Sequence, residues 1–352
     1  RNDMQTKDIG WINTVRALCM ISVYLLHSEF YYGNGGFSYG YVLTPFYVNA
    51  FFFVSGYLFF QKHLTPDGTL SFCMGKYRQT IRHILFRLIL PTLLFSTLIY
   101  IPKMMFHHHA LSVRQYLYDV WGGVSYWFTS ALTVAQLLLA TLLLSLRLRM
   151  SQCLLVCIPI AIAGIWLGHI DQSPFPWNYQ KGMEATLLMC AGGMYRRHES
   201  RANRILSCPI TLGAAVLIYL SGVWLTHPAG PQAELPATAW HLWTLIVNAC
   251  GIISVTALSH VIPRNGWTEY IGKDSIIFYF FSGVMPAFFG TVAHGIFHHE
   301  HYSVTLAVTV VSLLTASAVN FTIRHYFPYL ADLRKMPCGT QRNGPGKNNS
   351  PH

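Results

Sequence analysis

Two residues in the first long apolar run are of a kind that does chemistry: Arg16 and His27, eleven positions apart in Trp11-Ile12-Asn13-Thr14-Val15-Arg16-Ala17-Leu18-Cys19-Met20-Ile21-Ser22-Val23-Tyr24-Leu25-Leu26-His27. At about 100° per residue, a helix returns His27 to within about 20° of Arg16, roughly 16 Å further along the axis. A charge facing lipid is costly, so polar groups at membrane depth are functional candidates by default. Facing the interior of a bundle, this stripe lines a polar path through the first segment. The other reading is an arginine snorkelling to one interface and a histidine hydrogen-bonded near the other. The stripe alone favours neither.

A second polar cluster opens the third apolar segment, Lys76-Tyr77-Arg78-Gln79-Thr80-Ile81-Arg82-His83, and continues to Arg87 and Pro91. Arg78 and Arg82, four apart, share a helix face. Arg87 falls about 140° around from Arg82 on a regular helix, so the three are not expected in one pocket. Such a cluster suits anionic lipid headgroups or the phosphates of a nucleotide-containing donor. Acidic partners are scarce. Glu29 lies about 200° from His27 and orients the imidazole only where the helix ends or bends. Glu184 is the other acid near membrane depth, and Asp119 and Asp171 are expected as solvated loop charges.

No resident metal or cofactor is expected. Adjacent histidines such as His107-His108-His109 and His298-His299-His301 seldom converge on one ion, and no acid or cysteine accompanies them at useful spacing. Of the eight cysteines, Cys19, Cys153, Cys157, Cys190 and Cys250 sit in apolar runs as small hydrophobes. There is no CxxC pair.

The elements that position these residues follow from composition. Only 11% of the 352 residues are charged and 53% are hydrophobic, against about 25% charged in a soluble domain. Runs long enough to span a bilayer fall at about 9–31, 43–61, 80–102, 125–146, 152–169, 180–195, 209–226, 239–261, 275–297 and 302–327. The expectation is an all-α polytopic membrane bundle of about ten transmembrane helices. It forms one unit over residues 1–335, followed by a disordered polar tail over 336–352. The first run lacks a small-residue cleavage site and is not expected to be removed as a signal peptide.

The loops test that count. With both termini cytoplasmic, seventeen of the 24 Lys and Arg fall in inside segments. Only Lys103, Arg114 and Lys181 fall outside, and Arg16, Arg82, Arg87 and Arg324 lie within helices. This asymmetry is what the positive-inside rule demands. It also accounts for a net charge of +11 without nucleic acid, whose binding needs a basic face beside a recognition fold.

The motifs taken together resemble membrane acyltransferase family three. They are Arg16-x10-His27 and Phe51-Phe52-Phe53-Val54-Ser55-Gly56-Tyr57, then an arginine-rich third segment ending at Pro91. Tyr126-Trp127-Phe128 and Gly272-Lys273-Asp274-Ser275 leading to Tyr279 complete the set. The resemblance runs from about residue 9 to 327 and implies an integral membrane O-acyltransferase, commonly an acetyltransferase, in the inner membrane of a bacterium. It implies acyl-CoA (acetyl-CoA by the family's habit) as cytoplasmic donor substrate and a hydroxyl of a cell-envelope glycan or glycolipid as acceptor. His27 would be the general base, with a pKa suited to the task. Arg16, with Arg78, Arg82 or Arg87, would hold the donor's phosphates. Asn13, Glu29, Tyr126 and Trp127 would border the pocket, although aromatics at a helix start are more often interfacial anchors. Ser55 and Gly56 suit close helix packing.

Three departures from the family's pattern matter, and the last shifts weight onto His27. Asn13 stands where the family often has an acid, so a carboxylate partner for Arg16 must come from elsewhere. The third-segment arginines are spaced four and five rather than three. Ser282 stands where many members have histidine. The competing reading is a transporter or flippase with Arg16 and His27 lining its path. Neither the internal repeats nor the paired broken helices of such proteins stand out in the sequence.

Overall fold

The structure, a computed structural model, describes residues 10–33, 38–65, 69–106, 111–146, 148–171, 173–174, 176–206, 208–226, 237–297, 299 and 301–327. The expected polar tail and the His107-His108-His109 run lie outside the described residues. Those described are all-α apart from a single antiparallel bridge between Leu64 and Leu70.

In chain order the helices are α1 (Gly10–Tyr32), α2 (Tyr39–Gln61), α3 (Met74–Ile84), α4 (Leu90–Phe106), α5 (Val113–Tyr116), α6 (Trp127–Leu146), α7 (Met150–Ile170) and α8 (Tyr179–Arg197). They continue with α9 (Glu199–Leu206), α10 (Pro209–Thr226), α11 (Ala237–Val261), α12 (Gly266–Lys273), α13 (Ser275–Phe281), α14 (Val284–Ile296) and α15 (Tyr302–Tyr326). A π-helical turn, Leu85–Ile89, joins α3 to α4 without a break, and another, Leu117–Trp121, continues α5.

Six stretches are long and apolar enough to cross a membrane: Val42–Gln61, Met74–Met105, Trp127–Leu146, Met150–Ile170, Trp243–Val261 and Tyr302–Tyr326. The number is eight where each bent pair is one span, α9 with α10 (79°) and α13 with α14 (41°). The two other expected spans, 9–31 and 180–195, correspond to α1 and α8, of 23 and 19 residues. They have the length but are less apolar, and both lie inside the bundle.

One core surrounds α1, with Trp11, Val15, Cys19, Met20 and Tyr24 packed on Val54, Tyr57, Val255, Ile271 and Phe278. The other surrounds α8, with Ala185, Met189 and Cys190 packed on residues of α2, α6 and α7. Hydrocarbon offers little drive to bring helices together, so small residues that let backbones touch carry the packing. A methyl group on Gly56 would sit 2.1 Å from the Met189 carbonyl oxygen, and one on Gly192 would sit 2.0 Å from that of Phe53. Helices α2 and α8 therefore meet backbone to backbone. Gly272 does the same for α12 against α1, where a methyl would lie 2.1 Å from the Asn13 oxygen.

Beyond the end of α2, His63 is buried between the rings of Phe59 and Phe72. Burial, helped by the charges of Lys76 and Lys62, pushes its imidazole down to about 4.

Two outcomes follow. Gly56→Val should cost roughly 1–3 kcal/mol or more and lower the thermal midpoint in detergent. Gly213→Val, with nothing within 4 Å of the added carbon, should leave it unchanged. For His63, the folded protein refuses a proton that the unfolded chain accepts below about 6.5. The thermal midpoint should fall as pH drops from about 6.5 toward 4, with a shallower slope in His63→Phe. Equal slopes would exclude His63 as the source.

Candidate active site

The inward stripe of α1 runs through Arg16, Met20, Val23, Tyr24, His27 and Tyr31. Arg16 and His27 are each half-buried, and His27 stacks on Tyr31 one turn on, with ring centroids 6.3 Å apart. Between them the stripe is sealed, since Met20, Val23 and Tyr24 are fully or nearly fully buried. The continuous polar path expected along this face is therefore absent from this state. Two polar half-sites lie on either side of an apolar plug.

At the Arg16 end, the second cation is Arg87. Its charge acts unfavourably on that of Arg16. The reason is the π-turn, in which the N–H of Leu90 bonds to the carbonyl of Leu85, five residues back. One extra residue in the turn takes out part of the 140° offset of a regular helix, and Arg87 acts on Arg16 rather than joining Arg78 and Arg82 in one pocket. Arg78 and Arg82 are exposed on α3, Arg82 resting over the Phe86 ring at 5.8 Å. Arg87 is exposed and Arg16 only half-buried, so an anion reaching Arg87 also feels Arg16.

No carboxylate pairs with Arg16 among the described residues. The buried acid nearest to it in the packing is Asp274, two residues beyond the Gly272–Asn13 contact. It is already taken by an ion pair with Arg324 and by the Asn320 amide, which donates at 2.9 Å. Sequence reasoning did not single out Asp274, because its partners come from α15 and no local spacing announces them. Asn13 is buried, and its backbone seats α12.

Glu29 is not a partner of His27. Helix α1 runs straight on to Tyr32, which keeps Glu29 on the far side. There its carboxylate accepts bonds from the Ser38 hydroxyl (2.6 Å), the Gly40 N–H (3.0 Å) and the Tyr302 hydroxyl (2.7 Å). A carboxylate on the first N–H groups of a helix satisfies orphan donors and the helix dipole together. Glu29 thus caps α2 and ties it to α15. Glu184 pairs with exposed Lys181. Asp119, expected in solvent, is buried and accepts a bond from the Gln115 amide at 3.1 Å.

The aromatic pair at the start of α6 divides. Tyr126 is buried and donates to the Phe280 carbonyl at 2.8 Å, while Tyr24 donates to that of Phe278 at 2.9 Å. The Tyr279 hydroxyl accepts the N–H of Phe128 at 3.2 Å. These bonds clamp the 41° bend between α13 and α14. Trp127 is 37% exposed and sets its ring edge-on to Phe128 at 6.4 Å, at the rim of the cluster. Of the second histidine run, His299 gives its carbonyl to the Tyr32 hydroxyl, and no ligand group gathers there among the described residues.

The geometry sets Arg16 of α1 under the charge of Arg87 from the π-turn, with the half-buried imidazole of His27 further along α1. Against known proteins, the acyltransferase family 3 domain matches residues 9–323, nearly the whole described bundle. The chain belongs to acyltransferase family 3. No curated protein and no solved structure matches it. This membrane acyltransferase carries its family match across both half-sites, and Arg16, His27, Arg87 and the α13–α14 bend all fall within it.

The assignment of Glu29 to helix capping has a direct check. Glu29→Gln in the acyltransferase should lower the thermal midpoint, since the amide replaces acceptor capacity with donors at Ser38, Gly40 and Tyr302. It should leave the pH dependence of acyl transfer where it was. A shifted pH profile would return Glu29 to the role of orienting His27.

Proposed function

We propose that this acyltransferase moves an acyl group, in the first instance acetyl, from cytoplasmic acyl-CoA to a hydroxyl of a cell-envelope glycan or glycolipid, in the inner membrane of a bacterium. The observation that carries the donor assignment is the charge of Arg87 acting on Arg16, with no carboxylate paired to Arg16 among the described residues. Two guanidiniums in one place repel unless an anion joins them, and each matches phosphate in bidentate fashion. Arg78 and Arg82, exposed on the same segment, supply a basic approach to it.

The topology fitting this reading has ten spans, with α1 and α8 as the two polar interior ones. Both ends of the bundle's chain lie on the cytoplasmic side, as the loop charges ask. Arg16 then faces the cytoplasm and His27 lies roughly 16 Å deeper, toward the outer leaflet.

The chemistry at His27 balances simply. A nitrogen of the neutral imidazole takes the acceptor hydroxyl's proton as its oxygen attacks the thioester carbonyl. The carbon–sulfur bond breaks, and the departing CoA thiolate recovers that proton from the imidazolium. Of the charged groups on α1, Arg16 lies on the other side of the plug and Glu29 is engaged elsewhere. Among the described residues no carboxylate holds His27, and Tyr31 supports its ring.

The α13–α14 bend is the feature that favours transport, because transporters bind substrates at unwound helix junctions. Here the junction's carbonyls at Phe278 and Phe280 are occupied by tyrosine hydroxyls rather than open to a passing ion, which supports acyl transfer instead.

In purified protein given radiolabelled acetyl-CoA and an envelope glycolipid extract, His27→Ala should reduce transfer by about 10²–10⁴-fold, with the fold intact by thermal midpoint. Arg16→Gln and Arg87→Gln should each raise KM for acetyl-CoA. Normal transfer in His27→Ala would sink the base assignment. Substrate movement without consumption of acetyl-CoA would favour the transporter.

A further inference from the structure

Away from both half-sites, Cys153, Cys157 and Cys190 bring their sulfur atoms together in the core around α8. The Cys190 Sγ lies 3.5 Å from that of Cys153 and 3.4 Å from that of Cys157, and all three sulfurs are within 4.8 Å of one another. Every one of the three side chains is buried. Cys153 and Cys157 are one helical turn apart on α7, and Cys190 comes across from α8. The sequence holds this as an i, i+4 pair and a distant third cysteine, a spacing unlike CxxC, so the expectation of no metal site missed the cluster.

We propose that these three thiols form a site for a soft monovalent metal ion, copper(I). The donor set selects the ion. Three sulfurs without a carboxylate, imidazole or carbonyl suit a thiophilic cation and exclude magnesium or calcium, which require oxygen. Zinc in a structural site takes four ligands. The nearest other polar group in contact with the cluster, the Thr186 hydroxyl, is buried and already donates to the Met183 carbonyl at 2.6 Å. Copper(I) is content with three thiolates. Metal–sulfur bonds of roughly 2.3 Å set trigonally place sulfurs about 4 Å apart, so the cluster has to open by only about half an ångström.

Placement answers the charge problem. Three thiolates and one copper(I) carry two negative charges into a buried setting, which is costly without compensation. Cys153 falls just past the first turn of α7, near the positive end of its dipole, and Arg149 is that helix's N-cap residue. The cluster is also near an end of the bundle. Cys190 lies five residues before Tyr195, which packs on Trp11 at the start of α1, so an ion has a short route in. Binding forms three sulfur–copper bonds, breaks three S–H bonds and releases three protons, with no change in oxidation state. The ion would fasten α7 to α8.

The test uses the full chain in detergent without oxygen, with copper(I) supplied as its acetonitrile complex against a chromogenic copper(I) chelator. The expected result is one copper held per chain, with three sulfur neighbours by X-ray absorption and a raised thermal midpoint. Cys157→Ala and Cys190→Ala should each weaken retention by more than about tenfold, while Cys250→Ala should leave it unchanged. Zinc given in the same way should not be held. The proposal is overturned if folded wild-type protein surrenders all copper to the chelator, if fewer than three sulfurs surround the metal, or if zinc is held one per chain. It is equally overturned if Cys190→Ala retains copper as tightly as wild type. The sulfur count is read on the wild-type protein, so it decides the matter even where a cysteine variant folds poorly.

Discussion

A carbonyl that ends a helix at membrane depth has no water to bond, and leaving it open costs about 1–3 kcal/mol or more. The bend between α13 and α14 creates such carbonyls in the middle of the bundle. Tyr24 from α1 and Tyr126 from the start of α6 close them, and Tyr279 returns the favour by accepting the Phe128 N–H. Phe95 stacks on Phe280 with centroids 4.4 Å apart and covers the same junction from α4. Three separate segments are thereby fixed around one interrupted helix. The position of α1, and with it the depth of Arg16 and His27, depends on that closure.

The same tyrosine defines the chemistry's main obstacle. Tyr24 belongs to the plug that divides the Arg16 half-site from the His27 half-site. A donor whose phosphates rest on Arg16 and Arg87 has to extend its thioester past Met20, Val23 and Tyr24 to reach His27. On the opposite flank, α8 meets α2 through Gly56 and Gly192 with no room for a methyl group. A thioester entering the bundle therefore meets a rigid wall on the α8 side. On the α13 side, the seal is a pair of tyrosine hydroxyl bonds.

Much of this was legible in the sequence. The apolar runs place the helices, and the eleven-residue interval puts Arg16 and His27 on one face of a single helix. What the sequence hid has physical causes. One inserted residue at Leu85–Ile89 changes the phase of Arg87, and no residue type marks a π-turn. Glu29 looks like a neighbour of His27 by number, yet a continuous helix separates them, and its partner Tyr302 is near the other end of the chain. Asp274 sits within a visible motif, but its meaning comes from Arg324 and Asn320 on α15. The polar stripe was read as continuous because position on a helix tells which side chains share a face. It does not tell which of them neighbouring helices will cover.

That last distinction explains why the family match and the geometry support each other without being redundant. The match assigns acyl transfer to the chain as a whole and is silent about where charge gathers. The geometry shows where cations gather and where an imidazole lies half-buried, and is silent about what is transferred. Their overlap is narrow: one central helix with a cation pair near one end and an imidazole about three turns further in. A soluble acyltransferase can bring its acceptor to the donor by diffusion in a single compartment. A membrane enzyme whose acceptor lies across the bilayer needs donor recognition and proton removal set apart by about the distance that eleven helical residues provide. On the proposed two-sided reaction, the eleven-residue spacing of Arg16 and His27 on one helix face supplies that separation.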